Sequence, residues 1–315
     1  MARRIVVVGS INLDLVAATE RIPIAGETVA GSSFQTFAGG KGANQAVAAA
    51  RLAGQVSMLG KLGTDAFGVQ LRESLANANV NTDAVDVVSG SSGVALITTD
   101  AEGQNAITVV AGANARLGPA DLEAHIELIR SAGILLTQLE IPIETVEYLA
   151  GIAAEEGIPL MLDPAPACPL PSSLLNRVNW LTPNETETCI LTGLPPGNLG
   201  ERELEEAADK LLNAGCRNIV LKLGNRGCYL ALADGTRERL AAYAVSAVDT
   251  TAAGDAFNGA FAVALMKGQS PVDCAMWASG VAAISATRHG AQPSMPTLIE
   301  VDRFLDDMNS AKSAR

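Results

Sequence analysis

Seven short runs are β-prone, several of them apolar without alternation, and Ala- and Leu-rich segments of helical length separate most of them. The runs cover residues 5–8, 56–59, 134–136, 159–162, 180–182, 219–222 and 228–232. A strand that is apolar on every residue must be covered on both faces, as parallel strands are. Helices are predicted at 43–52, 67–78, 119–131, 143–156, 201–214, 255–266 and 271–287. Strands alternating with helices specify βαβ units, an α/β fold and a doubly wound sheet. Residues 15–37 and 92–111 break the rhythm, with alternating stretches such as "GVALITTD" and "AITVV". They are expected to form a small β-sheet lid inserted into a body made of residues 1–14, 38–91 and 112–308. A lid excludes water from a site. A β extension for packing or dimerisation is the alternative, and both can hold together. The tail, 309–315, is expected to fray.

The function classes narrow with charge and cysteine usage. Net charge is −12 over 315 residues, with no block of Lys or Arg and 3% aromatics. That argues against a nucleic-acid surface. Phosphate would be held locally, by backbone N–H groups, a helix N-terminus or a few cations. With 48% hydrophobic residues there is material for a large core, yet the longest apolar runs are too short for a membrane span. The apolar run after the N-terminal arginines reads as a first strand rather than a signal peptide. Cys168, Cys189, Cys216, Cys228 and Cys274 form no Cys-x-x-Cys, so free thiols in a reducing cytoplasm are expected. The two histidines, His125 and His289, are far apart, and His125 is expected at the surface. Histidine-based nucleophilic chemistry has little support.

Five stretches can carry chemistry. "GSINLD" (9–14) leaves the first strand, where open α/β sheets bind ligands, and offers Asn12 and Asp14 to sugar hydroxyls. An Asx-turn is the structural alternative. "AGGKGANQAVAAA" (38–50) sets Gly39, Gly40, Lys41 and Gly42 before a helix carrying Asn44. It fits neither the Walker A pattern nor G-x-G-x-x-G. "LTPNETE" (181–187) spaces Asn184 and Glu187 as a capping box or as a site pair. "LKLGNRG" (221–227) reads as a hairpin or a nucleotide contact. "DTTAAGDAFNGAF" (249–261) places the N–H groups of Ala252, Ala253, Gly254 and Asp255 at a helix N-terminus suited to phosphate. Asp255, in the first turn, is expected to have its pKa pushed down and to orient a hydroxyl as a base.

Taken in order, "GSINLD", "GGKGANQA", "AGAN", "DPAPA", "TPNETE", "LGNRG", "DTTAAGDAFNGAF" and "TRHGAQPS" resemble the ribokinase branch of the phosphofructokinase-B-type sugar kinases over nearly the whole chain. The resemblance implies a ribokinase-like three-layer α/β/α sandwich with a small β-sheet lid that often clasps a second subunit into a homodimer. It implies ATP-dependent phosphorylation of ribose at O5, with deoxyribose or another sugar as the alternative acceptor. A sugar sensor on a retired kinase fold is opposed by the presence of Gly254, Asp255 and Glu187. Asn12, Asp14, Gly39, Gly40, Lys41, Gly42, Asn44 and Glu140 would hold the sugar. Asp255 would be the base and 252–255 the anion hole. Asn184, Glu187, Lys222, Gly224, Gly227, Gly254 and Ser279 would line the nucleotide site, with Glu187 helping to place Mg²⁺, partly through water. An activating K⁺ would sit at Asp249, Thr251, Ser285, Arg288, Gly290 and Ser294. Three positions depart from the pattern: Asp163 stands where close relatives have Asn, Lys222 where threonine is frequent, and Ser279 where Asn or His is common.

Overall fold

The first apolar run becomes the middle of a large sheet. In the computed structural model, which describes residues 4–313, the strands are β1 (Arg4–Val8), β2 (Asn12–Thr19), β3 (Gly31–Gly39), β4 (Val56–Gly63), β5 (Asn81–Val88), β6 (Gly93–Thr99), β7 (Asn105–Val110), β8 (Ala132–Gln138), β9 (Leu160–Asp163), β10 (Trp180–Leu181), β11 (Asn218–Lys222), β12 (Cys228–Leu232) and β13 (Arg237–Leu240). Nine of them form one sheet in the order β13-β12-β11-β10-β9-β8-β1-β4-β5. From β11 to β5 neighbouring strands are parallel, and β12 and β13 return antiparallel at one edge.

The lack of alternation in β1 has its expected cause. Ile5 and Val7 enter one buried cluster while Val6 and Val8 enter another on the opposite face. Helices cover both faces, so each residue of the strand is out of water. The chain winds from β1 towards β4 and β5 in one direction, and β8 pairs with β1 on its other side. Between the carboxyl ends of β1 and β8 the winding reverses, and a crevice for ligand opens at such a point.

The remaining strands form a separate sheet, β3-β2-β6-β7. β2 begins at Asn12, three residues before the expected edge of the inserted sheet, so Asn12 and Asp14 lie on it. All of β7 and most of β3 are exposed.

Several elements differ from expectation. β5 escaped because its charged Asp83 and Asp86 interrupt the apolar run. The 119–131 helix is broken at His125 into Pro119–Ala124 and Ile126–Arg130. His125 is partly buried, with Nε2 3.2 Å from Asp86, rather than free on the surface. The last helix runs Leu298–Ser313, so residues 309–313, expected to fray, continue it; 314 and 315 lie outside the described residues. Among the described residues no helix is long and apolar enough to cross a membrane. The five cysteines are free, and four are buried.

Candidate active site

At the carboxyl end of β1 the chain turns through Gly9 and Ser10 into β2, and the helix Lys41–Arg51 starts against that turn. Gly40, its N-cap, has φ of 86°, and a Cβ there would lie 2.6 Å from the Asn12 nitrogen. Only glycine permits this approach. Glu140, just past β8, ties the pieces together. Its Oε2 accepts from Ser10 Oγ (2.5 Å), the Lys41 backbone N–H (3.1 Å) and Asn12 Nδ2 (3.4 Å). Asn12 Oδ1 in turn accepts from Asn114 Nδ2 at 2.7 Å. A cavity of about 290 Å³ opens here, lined by Asn12, Asn114 and Glu140 among others. Asp14 is pushed up to about 7, first by burial, then by Glu140 and Asp255, with Lys41 opposing. Burial disfavours the Lys41 ammonium, but Asp255, Asp163 and Glu140 outweigh it and raise its pKa.

Asp255 sits in the first turn of the helix Ala253–Met266. That helix is set against Lys41–Arg51 by a close approach at Gly259, where a Cβ would lie 2.7 Å from the Gln45 carbonyl oxygen and 2.8 Å from Ala48 Cβ. The contact brings Asn44 and Gln45 onto Asp255. Asn44 Nδ2 donates to Oδ2 at 2.9 Å, and Gln45 Nε2 donates to Oδ1 at 3.1 Å. Contrary to the sequence expectation, the Asp255 pKa is raised, to about 6. Burial is the largest cause and Asp163 adds to it; Lys41, Asn44 and Gln45 pull the other way. A position in the first turn does not decide the outcome here, because removal of the carboxylate from water prevails.

Ala252 is the N-cap of the helix, in a left-handed conformation with φ of 59°. The Ala253 N–H turns back to the Thr250 carbonyl at 3.2 Å, while Ala252, Gly254 and Asp255 N–H have no backbone partner among the described residues. Three of the four anticipated donors are therefore free of a backbone partner.

A second cavity of about 660 Å³ runs from Lys41 and Asp255 over this terminus to Asn184, Glu187, Lys222, Gly224, Gly227 and Ser279. The strand ends β9, β10 and β11 supply its polar floor. Asn184 and Glu187 do form the capping box: Asn184 N–H and Nδ2 donate to the two Glu187 oxygens, and Glu187 N–H donates to Asn184 Oδ1. The same pair lines the cavity, so both readings of the spacing coexist. The Glu187 pKa is raised by burial, against Lys222, which lowers it. "LGNRG" is a tight turn in the β11–β12 hairpin, and it too borders the cavity. An apolar wall comes from Ala282, Ala283 and Ala286.

Two residues not named as site candidates from the sequence, Gln45 and Gln138, join the site. Gln45 Nε2 also donates to Asp163 Oδ2 at 3.0 Å, and Gln138 Nε2 donates to Gln45 Oε1 at 2.8 Å. Two polar side chains in the run "ANQAVAAA" were the available signal. An apolar helix face has no use for a second amide unless something polar meets it.

The residues expected around a monovalent cation fall into two bonded groups. Asp249 accepts the Thr251 and Gly290 N–H groups, each at 2.9 Å, and these bonds hold its pKa low against burial. Ser285 Oγ and Ser294 Oγ are 2.7 Å apart. The Arg288 side chain points to Glu300 instead. Among the described residues no group of three or more His, Cys, Asp or Glu is placed to hold a metal.

Comparison with known proteins matches residues 2–298 to the model of the pfkB family carbohydrate kinases. A ribokinase of Schizosaccharomyces pombe is 42% identical over 306 residues, covering 95% of this chain and 96% of the relative. A deoxyribokinase of Salmonella typhi is 37% identical, covering 96% of this chain and 98% of the relative. The structure of Arabidopsis thaliana ribokinase complexed with ribose and ATP superposes with a TM-score of 0.89 at 37% identity, over 97% of this chain and 99% of the other.

Proposed function

The chain belongs to the pfkB family of carbohydrate kinases, and on that premise we propose that it transfers the terminal phosphoryl group of ATP to O5 of D-ribose. The products are ribose 5-phosphate and ADP. The observation that carries the reading is the position of Asp255. Its carboxylate is buried and held by two amides, beside backbone N–H groups that have no backbone partner, at the edge of a cavity of nucleotide size. Asp255 takes the proton from O5 as the O5–P bond forms and the bond from phosphorus to the ADP oxygen breaks. With a pKa near 6 it is ionised at neutral pH and more basic than an exposed aspartate. Gly254 and Asp255 N–H, at the positive end of the helix, meet the charge on the moving group.

The sugar is held by Asn12, Asp14, Lys41, Asn44 and Glu140, with Gly39, Gly40 and Gly42 letting the backbone come close. Asn44 Oδ1 is buried without a protein partner, an acceptor that a sugar hydroxyl satisfies. ATP lies over Asn184, Lys222, Gly224, Gly227 and Ser279, with its base against the alanine wall. Mg²⁺ supplies charge neutralisation on the phosphates. Glu187 fits a role through water, since both its oxygens already accept from Asn184. The carboxylate of Asp249, the hydroxyls of Thr251, Ser285 and Ser294 and the backbone carbonyls of Arg288 and Gly290 would offer oxygen ligands that suit a hard cation such as K⁺. The segments 15–37 and 92–111 act as the lid. Exposed Phe34, Ile107 and Val109 on that sheet favour its burial against a second copy, as a homodimer. ATP as substrate and free thiols suit a cytoplasmic enzyme.

Deoxyribose is the second reading, motivated by the Salmonella relative. A coupled ADP-release assay over ribose, deoxyribose, fructose and nucleosides separates them. Ribose is expected to give the highest kcat/KM, and a higher value for deoxyribose would overturn the choice.

A further inference from the structure

The floor of the larger cavity holds an ion pair that takes no part in the proton transfer. Lys222 Nζ stands 3.1 Å from Asp163 Oδ1, and the side chains are 12% and 4% exposed. Removing two charges from water is costly, and an apolar pair of similar size often serves stability as well or better. The pair therefore points to a task beyond holding the fold together. Its geometry indicates one. The Lys222 backbone is fixed by its N–H to the Pro183 carbonyl at 2.8 Å. Asp163 is fixed by its other oxygen, which accepts from Gln45 at 3.0 Å. The ammonium is the movable member, a point charge on a flexible stem with three donors. It lies 3.4 Å from where a Cβ on Gly254 would stand. It thus borders the open side of the helix terminus whose Gly254 and Asp255 N–H groups lack backbone partners.

Resting on the kinase reading above, we propose that Lys222 is a further phosphate-contacting residue. Its ammonium turns from Asp163 to the terminal phosphate of the nucleotide and makes the site favour a triphosphate over a diphosphate. Asp163 is its positioning residue: it holds the ammonium at the terminus while the site is empty, and Gln45 keeps the carboxylate partnered when the ammonium leaves. No bond is made or broken in this exchange.

Calorimetric titration of the full chain tests it, with ADP and with the non-hydrolysable β,γ-methylene analogue of ATP at constant Mg²⁺. Two variants are compared: Asp163→Asn, and Asp163→Asn combined with Lys222→Met, which leaves no lone buried charge. The double variant is expected to bind the analogue roughly 10- to 100-fold more weakly, the size of one charge-assisted hydrogen bond. Its ADP affinity is expected to change by less than about threefold, within ordinary context dependence. Asp163→Asn alone should keep or tighten analogue binding. A double variant that binds both nucleotides as wild type does, or that loses both equally, overturns the proposal. If the wild-type chain binds no analogue, it is the kinase reading that falls.

Discussion

Replacing Asp255 with Asn should destroy turnover while leaving the fold as stable or more stable at neutral pH. The folded pKa is raised from 3.8 to about 6. A carboxyl shifted this way favours the fold while protonated, and that advantage is lost as pH rises from 3.8 through about 6. The shift corresponds to roughly 3 kcal/mol of cost for keeping the buried charge above that range. Asparagine removes the charge but presents only one acceptor. One of the two donors, Asn44 Nδ2 or Gln45 Nε2, then faces an NH₂ group, at a cost of about 1–3 kcal/mol. The net is roughly 0–2 kcal/mol in favour of the variant at pH 8. For a chain of this size that is a rise in Tm of up to about 4 °C. Near pH 4 wild-type Asp255 is largely protonated, so only the lost hydrogen bond remains and the variant should melt lower. Loss of a general base lowers kcat by about 10²- to 10⁴-fold. Calorimetric melting across pH 4–8, paired with the coupled assay, reads both effects. Turnover within about tenfold of wild type, below that range for a lost base, would refute the assignment of the base. A Tm difference that does not change sign or grow with pH would refute the desolvation argument.

Other expectations follow from the same geometry. Asp14, raised to about 7 by burial and neighbouring carboxylates, contributes stability below 3.8 that is lost as pH rises through 7. Asp14→Asn should therefore flatten the fall in Tm between pH 5 and 8, and should raise the KM for sugar more than it lowers kcat. Gly259→Val places atoms inside the 2.7 Å approach to the Gln45 carbonyl. It should cost about 1–3 kcal/mol by overpacking, and kcat should fall further than stability explains because Asn44 and Gln45 shift off Asp255. Rates measured in K⁺, Na⁺ and cation-poor buffer should be highest in K⁺; equal rates would remove the cation site.

The body of the fold was legible because strands buried on both faces leave uninterrupted apolar runs. Elements that meet water on one side left no such trace. β5 carries Asp83 and Asp86, and β13 reads "RERL". The motif residues were legible as well, since glycine clusters and a carboxylate at a helix start need a reason. What the sequence did not yield is how distant polar residues pair. Asp163 and Lys222 each looked like an isolated departure, 59 positions apart. Only the adjacency of the β9 and β11 ends, across β10, makes them one ion pair. The Asp255 pKa was misjudged for a related reason. The helix terminus is local and visible in sequence, whereas the burial that outweighs it comes from packing against a helix more than 200 residues earlier.

The central claim is that phosphorus reaches O5 of ribose at Asp255. Phosphorus NMR of the product formed from ATP and D-ribose tests it most directly. A 5-phosphate couples to the two protons on C5 and gives a triplet-like ester signal. The account predicts that signal, growing with ADP in the wild type and absent with Asp255→Asn. A doublet from a phosphate at C1, or ADP release with no sugar ester, would contradict it.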